Sequence, residues 1–374
     1  MNTDNDNAWY LINNIEQTDS PALIIYLNRV EKNIELLKGM IDDVQRLRPH
    51  AKTHKAKEPA LLMMKAGIGK FKCATIAEAE MLAGIGAPDV LLAYQPIGPK
   101  AERFISLIKK YPDTKFSCLV DNVDSALQLS RMAESAGFKI PVYIDLNVGM
   151  NRTGITPDDK AIELYENCLQ LNGVVPIGLH AYDGHIHDEN PGIRQRKCDE
   201  AFLPVQKLAD ALSTKGFAEP VLVVGGSPTF PFHAKRKKVE CSPGTFIYWD
   251  GGYRQGLAEQ PFVPAALVIS RVISLPDDTT ICTDLGHKSV SAENELTKRI
   301  SFINAPELKA VGQSEEHLVV KADKGHNFQI GDVLYGLPFH ICPTCALYEK
   351  AFVVENGLVT TDWEIVARDR KITV

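Results

Sequence analysis

The chain has 374 residues, 45% hydrophobic and 24% charged, with 26 Gly and 22 Pro, a composition that excludes collagen-like and disordered classes. At roughly 150 residues per domain it has room for two domains, or for one barrel of roughly 250 residues with a companion. Its 41 Lys and Arg against 47 Asp and Glu give a net charge of −6, which leaves no broad cationic field for nucleic acid or anionic lipid. No apolar run approaches the roughly 18 residues of a membrane helix, so neither a nucleic-acid nor a membrane partner is expected. Residues 1–7 are polar and acidic and lack the positive start and apolar core of a secretory signal. The cysteines (73, 118, 168, 198, 241, 282, 342 and 345) are scattered and without a pairing pattern. Reduced thiols and a cytoplasmic location are the expectation.

In chain order, residues 22–27 form a strand-like run that can pair with either half of the molecule. From there to about residue 250, short β-branched runs alternate with amphipathic stretches, the pattern of βαβ units around a parallel sheet. The strand candidates are residues 47–52, 70–75, 90–94, 115–121, 141–147, 176–182, 221–226 and 239–242. Eight such units predict a closed (β/α)8 TIM-type barrel. Helices are expected over residues 30–44, 58–66, 76–83, 100–110 and 122–136, several opened by Pro, Asp or Asn at a capping position. After about residue 256 the texture changes to closely spaced strands, for example residues 265–273, 317–322 and 351–354, with Gly and Asp turns. The expected organisation is therefore a segment of residues 1–20 that can pair with the β domain, a barrel over 21–252 and a mainly β domain over 253–374, divided near Gly251-Gly252.

Arg48-Pro49-His50-Ala51-Lys52-Thr53-His54-Lys55 places several cations at the carboxyl end of the first predicted barrel strand. Barrel enzymes carry their chemistry at those ends, and neighbouring cations disfavour a protonated amine, which suits Lys52 to a Schiff base with His50 beside it. The alternative is a solvated basic loop. Val224-Gly225-Gly226-Ser227-Pro228-Thr229 ends the seventh strand, where glycines let backbone N–H groups approach an anion and Ser227 adds a hydroxyl. A poised lysine together with an anion turn suggests a phosphate-bearing aldehyde, pyridoxal phosphate.

At the end of the fifth strand, Arg152 can reach an oxygen of a cofactor or substrate, or pair with Asp145. At the end of the sixth, His180 and Tyr182 share a strand face and can stack on or hydrogen-bond a ring. In the second half, His340 and Cys342 project from one face if residues 340–342 are extended, offering an imidazole and a thiolate to a borderline-soft ion. Two ligands suit an open, water-completed metal site; a buried His and Cys without metal is the alternative. His185 and His187 are a weaker rival pair, and Cys342-x-x-Cys345 a weaker redox reading.

These residues resemble the D-threonine aldolase and D-serine dehydratase family, whose barrel is similar to that of alanine racemase. The likeness is carried by Arg48-Pro49-His50-Ala51-Lys52-Thr53-His54-Lys55, Cys73-Ala74-Thr75-Ile76-Ala77-Glu78-Ala79-Glu80, Tyr182-Asp183-Gly184-His185, Gly225-Gly226-Ser227-Pro228-Thr229, Ser242-Pro243-Gly244-Thr245 and His340-Ile341-Cys342-Pro343-Thr344. The resemblance implies that Lys52 holds pyridoxal phosphate, that the turn Gly225-Gly226-Ser227 cradles its phosphate, and that His340 and Cys342 bind a divalent metal. Zn²⁺ is expected first, with Mn²⁺ and Mg²⁺ compatible. It also implies a homodimer and a lyase acting on D-3-hydroxy amino acids, by aldol cleavage of the D-threonine type or by dehydration of D-serine or 3-hydroxyaspartate. The chain departs from the family in carrying His340-x-Cys342 where aldolases tend to have His-x-Asp, a pattern associated with the dehydratases and with some enzymes acting on 3-hydroxyaspartate. Ser242 and Phe246 replace Arg and Tyr, and Cys345-Ala346 replaces Val-Asn.

Two other classes compete. An amino-acid racemase would pair Lys52 with a second base, for which Tyr335 and Tyr348 are candidates, but gives no reason for His340-x-Cys342. A non-catalytic pyridoxal phosphate-binding protein would need the barrel alone and leaves the second half unexplained.

Overall fold

The computed structural model of the chain describes residues 8–374. It comprises two compact units: one made of the residues up to Leu36, Thr53–Pro59 and Thr245–Arg368, the other of Leu37–Lys52, Ala60–Gly244 and Asp369–Val374. The chain opens with strand β1 (Ala22–Tyr26) and helix α1 (Leu27–Gly39), followed by α2 (Lys57–Lys65).

The second unit is the parallel barrel. Its strands and helices alternate as β2 (Lys70–Cys73), α3 (Ile76–Gly84), β3 (Asp89–Leu92), α4 (Pro99–Lys110), β4 (Lys115–Val120), α5 (Val123–Ala136), β5 (Ile140–Leu146), α6 (Asp159–Leu169), β6 (Val174–Ala181), α7 (Pro191–Thr214), β7 (Val221–Val224), the short α8 (Phe230–His233) and β8 (Val239–Cys241). The strands pair in the order β2-β3-β4-β5-β6-β7-β8. The helices begin where side chains satisfy their first N–H groups. Thr75 caps α3 through the Glu78 N–H while the Glu78 carboxylate accepts from the Ala74 N–H, a reciprocal arrangement. Asn122, Asp158 and Asn190 cap α5, α6 and α7. Inside, Leu91 of β3, Leu119 of β4, Tyr143 of β5 and Val223 of β7 pack into one apolar cluster.

Seven named strands, not eight, form this sheet. Residues 47–52, expected as the first strand, touch their neighbours only at the bridges Leu47↔Cys241 and His50↔Lys72. Pro49 has no N–H to offer the ladder, so the segment completes the ring with four backbone bonds. Arg48 and His50 N–H groups donate to Cys241 and Pro243 carbonyls at 2.8 and 2.9 Å, and Lys72 and Ala51 N–H groups to Pro49 and Lys72 carbonyls, both at 2.8 Å. The (β/α)8 plan holds, with its first strand reduced to a seam.

The other unit is built on a nine-stranded sheet. After α9 (Gly251–Gly256) come β9 (Ala266–Asp277), β10 (Thr280–Thr283), β11 (Ile300–Phe302), β12 (Lys309–Gln313), β13 (Leu318–Lys321), β14 (Val333–Pro338), α10 (Ile341–Cys345), β15 (Lys350–Glu355) and β16 (Leu358–Glu364). The strand from residues 22–27 joins this sheet: β1 runs antiparallel to β9 and parallel to β15. Its fully buried burial pattern fits a central position between two neighbours. Ile24, Tyr26, Leu267, Ile269, Leu337 and Val354 form the unit's core, joined by Ile12.

The division of the chain therefore differs from the expected 21–252 and 253–374. It falls at Thr245, β1 lies with the β-rich unit, and the last residues from Asp369 return to the barrel unit. There the Glu80 carboxylate accepts the Thr373 and Val374 N–H groups at 3.0 and 3.2 Å, and Arg103 donates to the Val374 carbonyl.

Candidate active site

In the barrel unit the strand ends surround a cavity of about 560 Å³ lined by His50, Lys52, Lys72, Gln95, Arg152, His180 and Tyr182 among others. Five residues singled out in the sequence, His50, Lys52, Arg152, His180 and Tyr182, thus meet in one place. The segment before Lys52 is not a solvated loop. Arg48 is 1% exposed and is held by Glu240 at 2.7 Å and Asp89 at 2.6 Å, which keep its guanidinium charged against the cost of burial. The Lys52 N–H donates to His50 Nδ1 at 3.2 Å, which orients the imidazole beside the lysine.

His180 is fully buried, and its Nδ1 lies 2.7 Å from Asp145 Oδ1. Burial pulls the imidazole's pKa below its usual value, against the opposite pull of Asp145. Burial raises the Asp145 carboxyl, but hydrogen bonds from His180, Thr153 and Gln95 overcome it and hold the group below the ordinary carboxylate range. Thr153 Oγ1 and Gln95 Nε2 donate to the second Asp145 oxygen at 2.8 and 2.9 Å. With Asp145 so occupied, the expected alternative of an Arg152–Asp145 pair is not formed; Arg152 instead lies over the Tyr182 ring, 5.3 Å from its centroid. Lys52 and Lys72 approach the same ring, each with Nζ 5.7 Å from the centroid.

The turn after β7 does not line this cavity but touches Tyr182, since a Cβ on Gly226 would come 3.0 Å from that ring. Gly225 has φ +71°, and a Cβ there would sit 2.6 Å from the His233 ring, so only glycine serves. Ser227 Oγ accepts the Gly244 N–H at 3.1 Å. Beside the turn, the Ser242 N–H reaches the Val224 carbonyl at 3.3 Å while its Oγ is buried with no hydrogen-bond partner among the described residues. The turn is propped from behind by a network that sequence reasoning missed. Asp183 accepts from Thr229 Oγ1 at 2.8 Å and His233 Nε2 at 2.9 Å, and Thr229 Oγ1 in turn accepts the Gly226 N–H at 3.4 Å.

Asp183, Cys198 and His233 are, among the described residues, the one group of three side chains close enough to share a metal ion. Arg236 argues against that use. Its guanidinium donates to His233 Nδ1 at 2.9 Å, so the ring proton sits on Nε2 and is given to Asp183. The cluster is a hydrogen-bonded support.

In the β-rich unit, residues 340–342 are not an extended run. His340 is the N-cap of α10 and Cys342 lies in its first turn. Asp250 draws the helix start in by accepting the Ile341 N–H at 3.0 Å, and Thr344 Oγ1 bonds the His340 carbonyl at 2.8 Å. The pair is nevertheless adjacent: contact with the Cys342 sulfur and Glu293 outweighs burial and raises the His340 imidazole to about 9. Glu293 holds its Nδ1. Cys342 Sγ lies 3.1 Å from Thr53 Oγ1 and 3.6 Å from Thr245 Oγ1. Cys345 is buried, with a thiol pushed well up by desolvation, and is unsuited to a redox pair. His185 packs against Gly149 and does not gather with His187 into a ligand group among the described residues. Of the two tyrosines considered as racemase bases, Tyr348 donates its hydroxyl to the Ser289 carbonyl at 2.6 Å and Tyr335 lies in the sheet core.

Lys72, Gln95 and Asp121, which also line the cavity, carried no motif; Asp183 and Thr229 lay in quoted motifs, but the bonds of Asp183 to Thr229 and His233 did not show in the sequence. The one signal for Lys72 was a charged residue in the middle of Lys70-Phe71-Lys72-Cys73, in a strand that a parallel barrel buries on both faces.

Comparison with known proteins agrees with this architecture. The family model “Alanine racemase, N-terminal domain” matches residues 25–251, and a model described as “Putative serine dehydratase domain” matches residues 265–354. The chain is 29% identical over 361 residues to a D-threonine aldolase of Arthrobacter sp., covering 95% of this chain and 94% of that one. It is 26% identical over 369 residues to a 3-hydroxy-D-aspartate aldolase of Paracoccus denitrificans (strain Pd 1222), covering 95% and 93%. A crystal structure of D-threonine aldolase from Filomicrobium marinum superimposes with a TM-score of 0.87 at 26% identity, over 94% of this chain and 96% of that one. Barrel, cavity and a family match spanning more than half of the sequence lead to one conclusion: the chain belongs to the alanine racemase N-terminal domain family.

Proposed function

We propose that the protein is a pyridoxal phosphate- and divalent-metal-dependent lyase acting on D-3-hydroxy amino acids. The observation that carries this is the gathering of Lys52, His50, Arg152, His180 and Tyr182 around one cavity, in a chain alike over 95% of its length to an aldolase of that substrate class.

The residues present fit both groups. Gly225 and Gly226 leave a turn without side chains, and the partnerless buried Ser242 Oγ is a donor beside it, suited to a phosphate. His340 and Cys342 offer nitrogen and sulfur donors, with Glu293 on the imidazole's other nitrogen in the way second partners orient metal-bound histidines. When bound, pyridoxal phosphate supplies an electron sink for the substrate's Cα, and a divalent metal supplies a Lewis acid for its hydroxyl. Zn²⁺ suits this donor set, with Mn²⁺ and Mg²⁺ as alternatives.

The chain's own parts then divide the work. Lys52 Nζ would carry the covalent attachment, with the His50 imidazole held beside it by the Lys52 N–H. The turn Gly225-Gly226-Ser227 would hold the phosphate, Arg152 would meet an oxygen of the cofactor or substrate, and Tyr182 and His180 would stack on or hydrogen-bond the ring. Residues 21–252 form the cofactor half and residues 253–374 the metal half. The protein works as a homodimer in the cytoplasm; among the described residues no helix is long and apolar enough to cross a membrane.

The test is product analysis of the loaded protein with D-threonine, D-serine and D-3-hydroxyaspartate. Glycine with an aldehyde makes it an aldolase. Keto acid with ammonia makes it a dehydratase, a reading favoured by His340-x-Cys342 and by the second family match. Silence on all three, with α-proton exchange on simple amino acids, would return the racemase. Cys342→Ala is expected to lower metal content and turnover together; full activity in EDTA would remove the metal.

A further inference from the structure

One buried group in the cavity is used by none of these roles. Lys72 is 2% exposed, lines the cavity, and among the described residues has no carboxylate within ion-pair reach. Its neighbour on the same strand face, Lys70, is paired with Glu240. Lys72 Nζ lies 3.5 Å from His180 Nε2. Because the Asp145 carboxylate holds the His180 Nδ1 proton at 2.7 Å, Nε2 turns a lone pair toward the amine. Asp145, His180 and Lys72 thus form a chain of carboxylate, imidazole and amine that ends in the cavity, in the order by which a buried carboxylate sets the basicity of an imidazole. The charges around the amine are Lys52 and Arg48 on one side of the balance and Asp183 and Asp145 on the other. Burial first, and the Lys52 charge second, bring Lys72 from 10.5 down to about 7, so that both its forms are populated at neutral pH.

We propose that Lys72, backed by the Asp145–His180 pair, is the site's second proton carrier and leaves Lys52 to the covalent attachment. The proposal rests on the lyase reading above. Either reaction of that class removes one proton from the substrate and returns one. Dehydration takes it from Cα and delivers one to the departing hydroxyl as water; aldol cleavage takes it from the β-hydroxyl and delivers one to Cα of the glycine. Lys72 accepts as an amine and donates as an ammonium, with His180 Nε2 accepting the hydrogen bond of either form, so the balance closes within a turnover. A group acting near neutrality is the one best placed for such transfer.

The experiment uses the full chain loaded with pyridoxal phosphate. Competitive acetylation of the cofactor-free protein, read by peptide mass spectrometry against pH, is expected to give Lys72 half-labelling near pH 7. Lys72→Gln is expected to keep the yellow absorbance and, after borohydride reduction, the label on Lys52. It should lose about 10²-fold or more of the substrate's hydrogen exchange in deuterated water, together with the ionisation near neutrality in the pH profile. Added methylamine should restore part of the rate to Lys72→Ala, which a packing defect would not allow. Exchange unchanged in Lys72→Gln, an ordinary high titration of Lys72, or a borohydride label on Lys72 would each overturn the proposal. A wild-type protein that takes up no cofactor would instead sink the lyase reading, while the acetylation profile would still report on Lys72.

Discussion

At the amino ends of the barrel strands Arg48, Lys70, Asp89 and Glu240 neutralise one another: Arg48 meets both carboxylates, and Lys70 shares Glu240. At the carboxyl ends Lys52, Lys72 and Arg152 crowd one aromatic ring, and among the described residues none of them has a carboxylate partner. The same sheet carries both arrangements a few residues apart. One end spends its charges on holding strands together, and the other holds cations unneutralised where anionic groups would complete them, the division of labour expected of a barrel enzyme. Lys72 is buried, Lys52 half-buried and Arg152 exposed, and an unpaired cation buried like Lys72 is costly to a fold, so its persistence at this end marks the working face.

Substitutions at the two ends sharpen that contrast. Lys52→Ala should show the largest effect on function, with the yellow cofactor absorbance gone and turnover down by about 10³-fold or more, while the unfolding midpoint in urea stays near that of the wild type. A variant that kept the absorbance would refute the attachment at Lys52. Arg48→Met should do the reverse. Leaving Glu240 to Lys70 alone and Asp89 to the more distant Lys115 is expected to cost up to about 3 kcal/mol of stability, and the fraction that remains folded should still bind pyridoxal phosphate. Loss of binding without loss of stability would erase the distinction between the ends.

A third test lies outside the barrel. Burial lowers His54 from 6.5 to about 4, and its Nε2 has no hydrogen-bond partner among the described residues. Between those values the unfolded chain takes up a proton that the folded one refuses, so stability is full above pH 6.5 and falls as the pH drops toward 4. At roughly 1.4 kcal/mol per pH unit the loss amounts to about 3 kcal/mol. Urea midpoints of wild type and His54→Gln at pH 7 and 4.5 should differ by less in the variant; equal acid sensitivity would rule His54 out as the source. The smallest effect is expected for Asp183→Asn, which weakens the support behind Gly226. Cofactor affinity should fall by about tenfold, measured by absorbance titration with the fold intact.

Much of this was legible in the sequence where it rested on local chemistry. The runs that became β3 to β8 announced themselves by β-branched residues between capped helices, and the cavity residues His50, Lys52, Arg152, His180 and Tyr182 by their place at strand ends. What escaped depended on long-range partners. The run 47–52 looks like a strand, yet Pro49 and the two flanking strands reduce it to two bridges. The spacing of His340 and Cys342 fits a strand face, but Asp250, 91 residues before Ile341, ties the Ile341 N–H at the start of a helix. Thr373 and Val374 find Glu80 across most of the chain. Lys72 looks like any surface lysine until Asp145 and His180 are placed beside it.

The seam around Pro49 bears on the protein's dynamics. The barrel is closed there by four backbone bonds and no named strand, so this is where the ring opens most readily by local unfolding. The amides of Arg48, His50, Ala51 and Lys72 should therefore exchange with deuterium sooner than those of β4 to β6 in the cofactor-free protein, and slow down once it is loaded. That edge carries Lys52, so on the proposed attachment there the cofactor would be the clasp of the ring as well as its reagent.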